Sequence, residues 1–341
     1  MKSWIKSFVI MLVSLFLVLG CQDVADELVG KKPEGARTIN ILMIAKSSDN
    51  PVFLSAKIGA ESAAKDLSEK YSMLDVNIIW STPLTESAEE QAEIIKNAVK
   101  IGTDAIIVSC SDDSILTQAI NEAVDKSIPV MTFDSDAPNS KRFAFYGPND
   151  EEIGENVMNE LSKLIGGEGE VAILGGSKSA PNIQKRVLGV KKAAEKFSNI
   201  RIVGEFYHPE NAKDAAAEVL RVNSQYPNLK GWAMVGGWPF FDDELMNKIE
   251  SSKMKIVAVD ALPVQLPYIE SGIVSAFFGQ PTFKWGTVCV EKIVDKLHHN
   301  KNVEEFNEMK LIKVNKDNLG GWSRQLRAWG YKGIPDKYLI M

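Results

Sequence analysis

The stretch from Thr38 to Phe53, TINILMIAKSSDNPVF, decides the fold. Ile39 to Ala45 is a short Ile-rich apolar run broken only by Asn40, and it reads as a strand. Lys46 to Asp49 is polar, and Asn50 stands before Pro51, a capping side chain beside a first-turn proline. From Asn50 to Leu67 the apolar residues recur at helical spacing. Strand, polar turn and helix form one unit, and the rest of the chain repeats it.

Outward from that unit, strands are expected at Val76 to Trp80, Ala105 to Ser109 and Val130 to Phe133, and helices at Ser87 to Val99 and Ser114 to Val124. Ser87 with Glu90 matches a capping box. A second series begins with Phe143 to Tyr146 and runs through Glu151 to Leu164, Val171 to Leu174, Pro181 to Phe197 and Ile202 to Phe206. It continues with Ala212 to Val222, Trp232 to Val235, a helix at Phe240 to Ile249, then Ile256 to Val259, Val264 to Glu270 and Val274 to Phe278. Apolar strands joined to helices by short polar turns make parallel sheets covered on both faces. The fold class is therefore α/β, with two doubly wound parallel-sheet lobes.

The bulk numbers agree. A chain of 341 residues suits two domains. With 45% apolar and 25% charged residues, collagen-like, disordered and multi-span membrane classes are poor fits. A net charge of −6 argues against a nucleic-acid partner, and three cysteines cannot staple a scaffold of this size.

The front of the chain differs from the rest. Lys2 and Lys6 precede an apolar run from Ser7 to Leu19, then Gly20 and Cys21, and no acid occurs before Asp23. A basic start, a short apolar core and a small residue before a cleavage point form an export signal. Leu17 to Cys21 resembles a bacterial lipobox, which implies lipid attachment at Cys21 and a protein held at the cell membrane or envelope, outside the cytoplasm. Loss of residues 1–20 removes two Lys and no acid, which moves the charge from −6 to −8. Residues 21–37, polar and carrying Gly30, Lys31, Lys32, Pro33, Glu34 and Gly35, read as a flexible tether.

In open α/β sheets ligands gather beyond the carboxyl ends of the strands. The residues there are Lys46 to Phe53, Cys110 to Asp113 and Asp134 to Asp136. In the second series they are Gly175 to Ser177 leading to Asn182 and Arg186, then Gly236 to Phe240, Asp260 to Pro263 and Gly279 to Pro281. Carboxylates, carboxamides and a guanidinium can each make paired hydrogen bonds, which suits vicinal hydroxyls. Phe53 and Trp238 offer aromatic faces to the C–H face of a sugar ring.

These residues carry a resemblance to sugar-binding lipoproteins of the ribose/xylose-binding type, periplasmic binding proteins of type 1 that serve ATP-driven importers. It spans about residues 38–314. It rests on Asn50-Pro51-x-Phe53, Ile128-Pro129-Val130 leading into Asp134-Ser135-Asp136, Asn182 with Arg186 and Gly189, Val259-Asp260, and Gly279-Gln280-Pro281. The resemblance implies that Asp134, Arg186, Asp260 and Gln280 bond hydroxyls, that Phe53 and Trp238 sandwich the ring, and that Asn50, Asn182 and Asp112 assist. It implies chain crossings near Pro138–Lys141, Gln280–Pro281 and Asn307–Lys310. Lobe one is then 38–139 plus 281–308, and lobe two 140–280 plus 309–341. Two departures, Ser135 where Arg is common and Gly-Gly-Trp-Pro at 236–239 where Asn-Asp is usual, keep the ligand's identity from carrying over.

The expected function is non-enzymatic capture of a monosaccharide or polyol and delivery to the membrane subunits of an importer, by a monomer without cofactor or metal. A chemoreceptor is a second candidate partner. A furanose-type autoinducer receptor is the alternative, and a surface glycosidase using Asp134 and Asp136 the remoter one. Gly175-Gly176 reads as a turn rather than a phosphate loop. Adjacent His298 and His299 lack metal-ligand spacing, and Cys110 and Cys289 read as small buried hydrophobes.

Overall fold

A computed structural model describes residues 32–242, 246 and 254–341. Residues 1–31, with the export signal and Cys21, lie outside these, as does most of the helix expected over Phe240 to Ile249. No helix among the described residues is long and apolar enough to cross a membrane.

Two six-stranded sheets carry the structure. The first contains β1 (Arg37–Ile44), β2 (Leu74–Trp80), β3 (Ala105–Val108), β4 (Val130–Phe133), β5 (Ala144–Gly147) and β11 (Phe306–Glu308). Its order is β11-β5-β4-β3-β1-β2, parallel throughout. The second contains β6 (Glu168–Gly175), β7 (Asn199–Tyr207), β8 (Leu229–Met234), β9 (Lys255–Asp260), β10 (Ala276–Gly279) and β12 (Ile312–Val314). Its order is β12-β10-β9-β8-β6-β7, parallel except for the antiparallel edge strand β12.

The helices are α1 (Val52–Lys70), α2 (Ala88–Ala98), α3 (Asp113–Asp125), α4 (Asp150–Leu164), α5 (Pro181–Ala194), α6 (Ala212–Gln225), α7 (Leu266–Ser271), α8 (Phe283–Leu297), α9 (Leu319–Ala328) and α10 (Asp336–Leu339). Each sheet is covered on both faces, as its apolar strands require. Along β1, Ile39, Ile41 and Met43 enter one core while Leu42 and Ile44 enter the opposite one. The second sheet likewise separates two cores, with Ile173 and Val171 on one face and Leu174 and Ala172 on the other.

The chain passes between the sheets three times, between β5 and α4, β10 and α8, and β11 and β12. The first passage corrects the sequence expectation. Phe143 to Tyr146 does not open the second lobe, because β5 pairs with β4, Met131 opposite Ala144 and Phe133 opposite Tyr146. Pro138–Lys141 is instead a turn within the first lobe. Ser140 N–H donates to the Ala137 carbonyl at 3.0 Å, and Arg142 returns to grip Asp136 at 2.7 Å. The passage itself is Pro148–Asn149.

Helices touch closely where glycines permit it. A Cβ on Gly154 of α4 would lie 1.9 Å from the Arg186 carbonyl oxygen of α5, and one on Gly189 of α5 would lie 2.0 Å from that of Glu151. Gly59 of α1 and Gly286 of α8 form the equivalent contact in the first lobe. The C-terminal segment packs on the second lobe, where Trp322 Nε1–H donates to the Ala261 carbonyl at 2.7 Å. It also reaches the second passage. The rings of Trp329 and Phe283 stack at 6.4 Å, and the Tyr331 and Thr282 hydroxyls bond at 2.7 Å. Cys110 and Cys289 are buried free thiols whose ionisation burial opposes.

Candidate ligand-binding site

Both sheets direct the carboxyl ends of their strands at one cleft, the usual ligand place of this architecture. Two acids mark those ends. Asp134 follows β4 with φ +57°, and Asp260 ends β9 with φ +106°. Left-handed backbone at a residue other than glycine costs on the order of 1–3 kcal/mol and tends to occur at functional sites.

Around these acids the two lobes close on a cavity of about 30 Å³ lined by Asn50, Phe53, Asp134, Asn182, Arg186, Trp238, Asp260 and Gln280. Eight of the nine expected ligand residues therefore meet at one place. Asp112 does not join them. It caps α3, accepting from Ser114 N–H at 2.9 Å and Ile115 N–H at 3.0 Å, and lines an outer chamber of about 430 Å³ at the cleft mouth.

Arg186 organises the polar side of the cavity. Its Nε–H donates to Asp150 Oδ1 at 2.8 Å, another N–H donates to the Val235 carbonyl at 3.2 Å, and its remaining arm lies 3.5 Å from Gln280 Oε1 and 3.9 Å from Asp134. Gln280 Nε2–H donates to Asp260 Oδ1 at 2.7 Å, and Gly237 N–H to Asp260 Oδ2 at 3.0 Å. Ser109 Oγ–H donates to Asp134 Oδ2 at 2.9 Å. Asn50 Oδ1 accepts Val52 N–H at 3.1 Å, which ties this side chain to the start of α1.

Burial raises the Asp134 and Asp260 carboxyls above their ordinary range against the pull of nearby cations. It takes Asp150 up to about 6 despite the Arg186 guanidinium. Burial also works against the Arg186 charge, but Asp150 and Asp134 outweigh it and the group stands above its ordinary value.

Residues outside the expected set share the cavity. Lys46, 3% exposed, reaches from the end of β1 across the cleft and donates to Asn182 Oδ1 of the other lobe at 3.0 Å. Burial acts to lower its pKa, yet the Glu86, Glu210 and Asp134 carboxylates hold it above the ordinary lysine value. Glu86 lies 3.9 Å away, and burial pushes its carboxyl up to about 7 in spite of that ammonium. Glu210 lines both spaces and accepts Ser177 N–H at 3.0 Å, while Gly175 ends β6 and the chain turns just beyond, where Ala180 N–H donates to the Ser177 carbonyl at 3.3 Å.

Trp285, on the first turn of α8, packs 5.9 Å from the Phe53 ring and 5.8 Å from Phe133. Trp238 meets His208 edge-on at 5.1 Å from the opposite lobe. Asp136 is spent elsewhere, on Thr132 Oγ–H at 2.6 Å, Ala137 N–H at 2.8 Å and Arg142. Among the described residues no group of three or more His, Cys, Asp or Glu is placed to hold a metal ion. Lys46 and Trp285 had a positional signal, a strand end and a helix start, but a lone Lys reads as solvated and an aromatic on a helix as core.

The model of a family described as "Periplasmic binding protein domain" matches residues 41–301. Among curated proteins, the D-ribose/D-allose-binding protein of Pseudomonas aeruginosa is 23% identical over 248 residues, 69% of this chain and 75% of that one. Among solved structures, an ABC transporter solute-binding protein from Burkholderia graminis C4D1M in complex with D-arabinose superposes with a TM-score of 0.77. It is 25% identical and covers 84% of this chain and 98% of its own. A glucose-galactose binding protein from Geobacillus stearothermophilus, also 25% identical, gives 0.75 over 83% and 99%.

Proposed function

This chain belongs to the periplasmic binding protein family, and on that premise we propose that it is a non-enzymatic receptor. It captures a monosaccharide or polyol between its lobes, outside the cytoplasm, and passes it to the membrane subunits of an ATP-driven importer. Lipid on Cys21 holds it to the membrane. The observation that carries the reading is the shared cavity, where acids, amides, a guanidinium and aromatic rings from both lobes converge. Such groups bond vicinal hydroxyls in pairs and cover the C–H face of a ring. The sugar names of the relatives point the same way.

At about 30 Å³ the cavity is far smaller than the roughly 300 Å³ and upward of an ordinary ligand pocket. A sugar therefore enters with the lobes apart, and closure over it is a hinge motion at the three passages. Lys46 must release Asn182 for the sugar to settle. Glycosidase chemistry draws no support from Asp134 and Asp136, because Asp136 is turned to Arg142 and Thr132.

Titration calorimetry with pentoses, hexoses and polyols tests the reading. Micromolar or tighter binding of at least one, unchanged after overnight incubation, is the expected result. No binding across the panel, or time-dependent release of reducing sugar from a glycoside, overturns it.

A further inference from the structure

Gln91 in the first lobe and Gln265 in the second are each 0% exposed, and neither lines the cavity. A buried carboxamide needs partners for its N–H groups and for its oxygen. Both side chains find theirs in the loops that leave the strand ends. Gln91, in the first turn of α2, stands where the β1–β3 ladder runs out, one residue past the pair Ile44 and Val108. Its Nε2–H groups donate to the Ala45 carbonyl at 2.8 Å and the Ser109 carbonyl at 2.7 Å, and its Oε1 accepts Ser111 N–H at 3.0 Å. One amide thus supplies the next rung between two strands. The backbone it fixes leads into the site, since Lys46 follows Ala45 and Ser109 Oγ–H holds Asp134 at 2.9 Å.

Gln265, just ahead of α7, does the same for the loops beyond β8 and β9. Its Nε2–H donates to the Gly237 carbonyl at 2.8 Å, and its Oε1 accepts Leu262 N–H at 2.6 Å. Gly237 lies between Gly236 and Trp238, which border the cavity, and its own N–H binds Asp260. Leu262 follows Asp260 and Ala261, whose φ values of +106° and +61° are both left-handed. Such backbone persists only where its surroundings hold it. We propose that Gln91 and Gln265 are positioning residues for sugar capture. Each locks two strand-end loops, so that Lys46 and Asp134 from one lobe, and Trp238 and Asp260 from the other, stand in place before the ligand arrives. Groups ordered in advance bind more tightly because the ligand does not have to order them. This role presupposes the sugar reading and adds two residues that never meet the sugar.

Calorimetry of the mature chain with D-ribose, D-arabinose, D-xylose and D-glucose, well below every melting temperature, tests it. Methionine has the length of glutamine but neither its donors nor its acceptor. Gln91→Met and Gln265→Met should each bind the best sugar of the panel at least about tenfold more weakly. Ile39→Ala, a core truncation at the opposite end of β1 from Ala45, is the stability control. It should lower the melting temperature while affinity stays within about twofold. Unchanged affinity in either glutamine variant overturns the proposal. So does an equal loss of affinity in Ile39→Ala, which would make the effect one of stability alone. If a glutamine variant does not fold, the side-chain amide resonances of that glutamine in the unmodified protein decide. They should be protected from exchange and should shift on saturation with the sugar, and fast exchange or no shift refutes the role. Absence of binding by the unmodified chain removes the sugar reading as well, whereas the variants bear on this role alone.

Discussion

Asp134 shows how much one side chain carries at this site. It sits in left-handed backbone, accepts from Ser109 and lies 3.9 Å from Arg186, whose own ion pair is with Asp150. Asp134→Asn keeps the shape and the Ser109 contact but removes the charge that would accept ligand hydroxyls. Calorimetry should find sugar affinity lower by about tenfold to a hundredfold, since bonds to a charged acceptor contribute roughly 1.5–3 kcal/mol. The melting temperature should change little, because Arg186 retains Asp150. Glu86 makes a second test, through pH. Its folded-state pKa stands above its unfolded value, so protonation favours the folded form below about pH 4.5. That contribution is lost as pH rises through about 7. Glu86→Gln should therefore match the unmodified protein's melting temperature near the lower value and exceed it at about pH 8, while Glu210 and Asp134 still face Lys46. Thermal scans across that range check the sign, and the opposite ordering would contradict it. The acids, amides and Arg186 were legible because strand ends are named by the pattern and few residue types bond hydroxyls. Lys46 and Trp285 were not, since only the closed fold strips Lys46 of water and turns Trp285 from core filler into part of the cavity wall.

At the scale of elements, the site depends on how tightly α5 lies on α4. Arg186 extends from α5 while its partner Asp150 opens α4, and Gly154 and Gly189 allow the contact. Gly154→Ala would place a methyl 1.9 Å from the Arg186 carbonyl and 2.7 Å from Val190 N, both backbone atoms that cannot swing aside. The helices must separate, at a typical cost of about 1–3 kcal/mol. Calorimetric melting should show a drop of several degrees, and sugar affinity should fall with it as Arg186 leaves its place. Gly321→Ala in α9, which meets nothing within 4 Å, is the matched control and should be neutral or slightly stabilising. Strands and helices were largely legible from period and caps. Ser87 Oγ does accept Glu90 N–H at 3.2 Å, and Asn50 does bond the start of α1. The misplaced element was β5, because a four-residue apolar run carries no record of which sheet it joins. Pairing with β4 and β11 decides that, and such pairing is non-local.

The whole molecule is two sheets joined by three thin passages, with a cavity that exists only when both lobes contribute. Lys46 bonding Asn182 across the cleft is the internal contact a ligand has to replace. Attachment to a membrane belongs to this scale as well. Cys21→Ser should release the protein from the membrane fraction into the soluble extract, and continued sedimentation with membranes would reject the lipid anchor. The C-terminal segment packs against the second lobe. Its Tyr331 also touches Thr282 at the second passage, a contact between distant parts of the chain that no local pattern encodes. The two cavity tryptophans have a practical consequence. Trp285 belongs to the first lobe and Trp238 to the second, and both border the space a sugar would fill. Occupancy and closure would then change the surroundings of two indoles at once, so the protein carries its own fluorescent gauge and binding can be followed by ultraviolet emission without any attached dye.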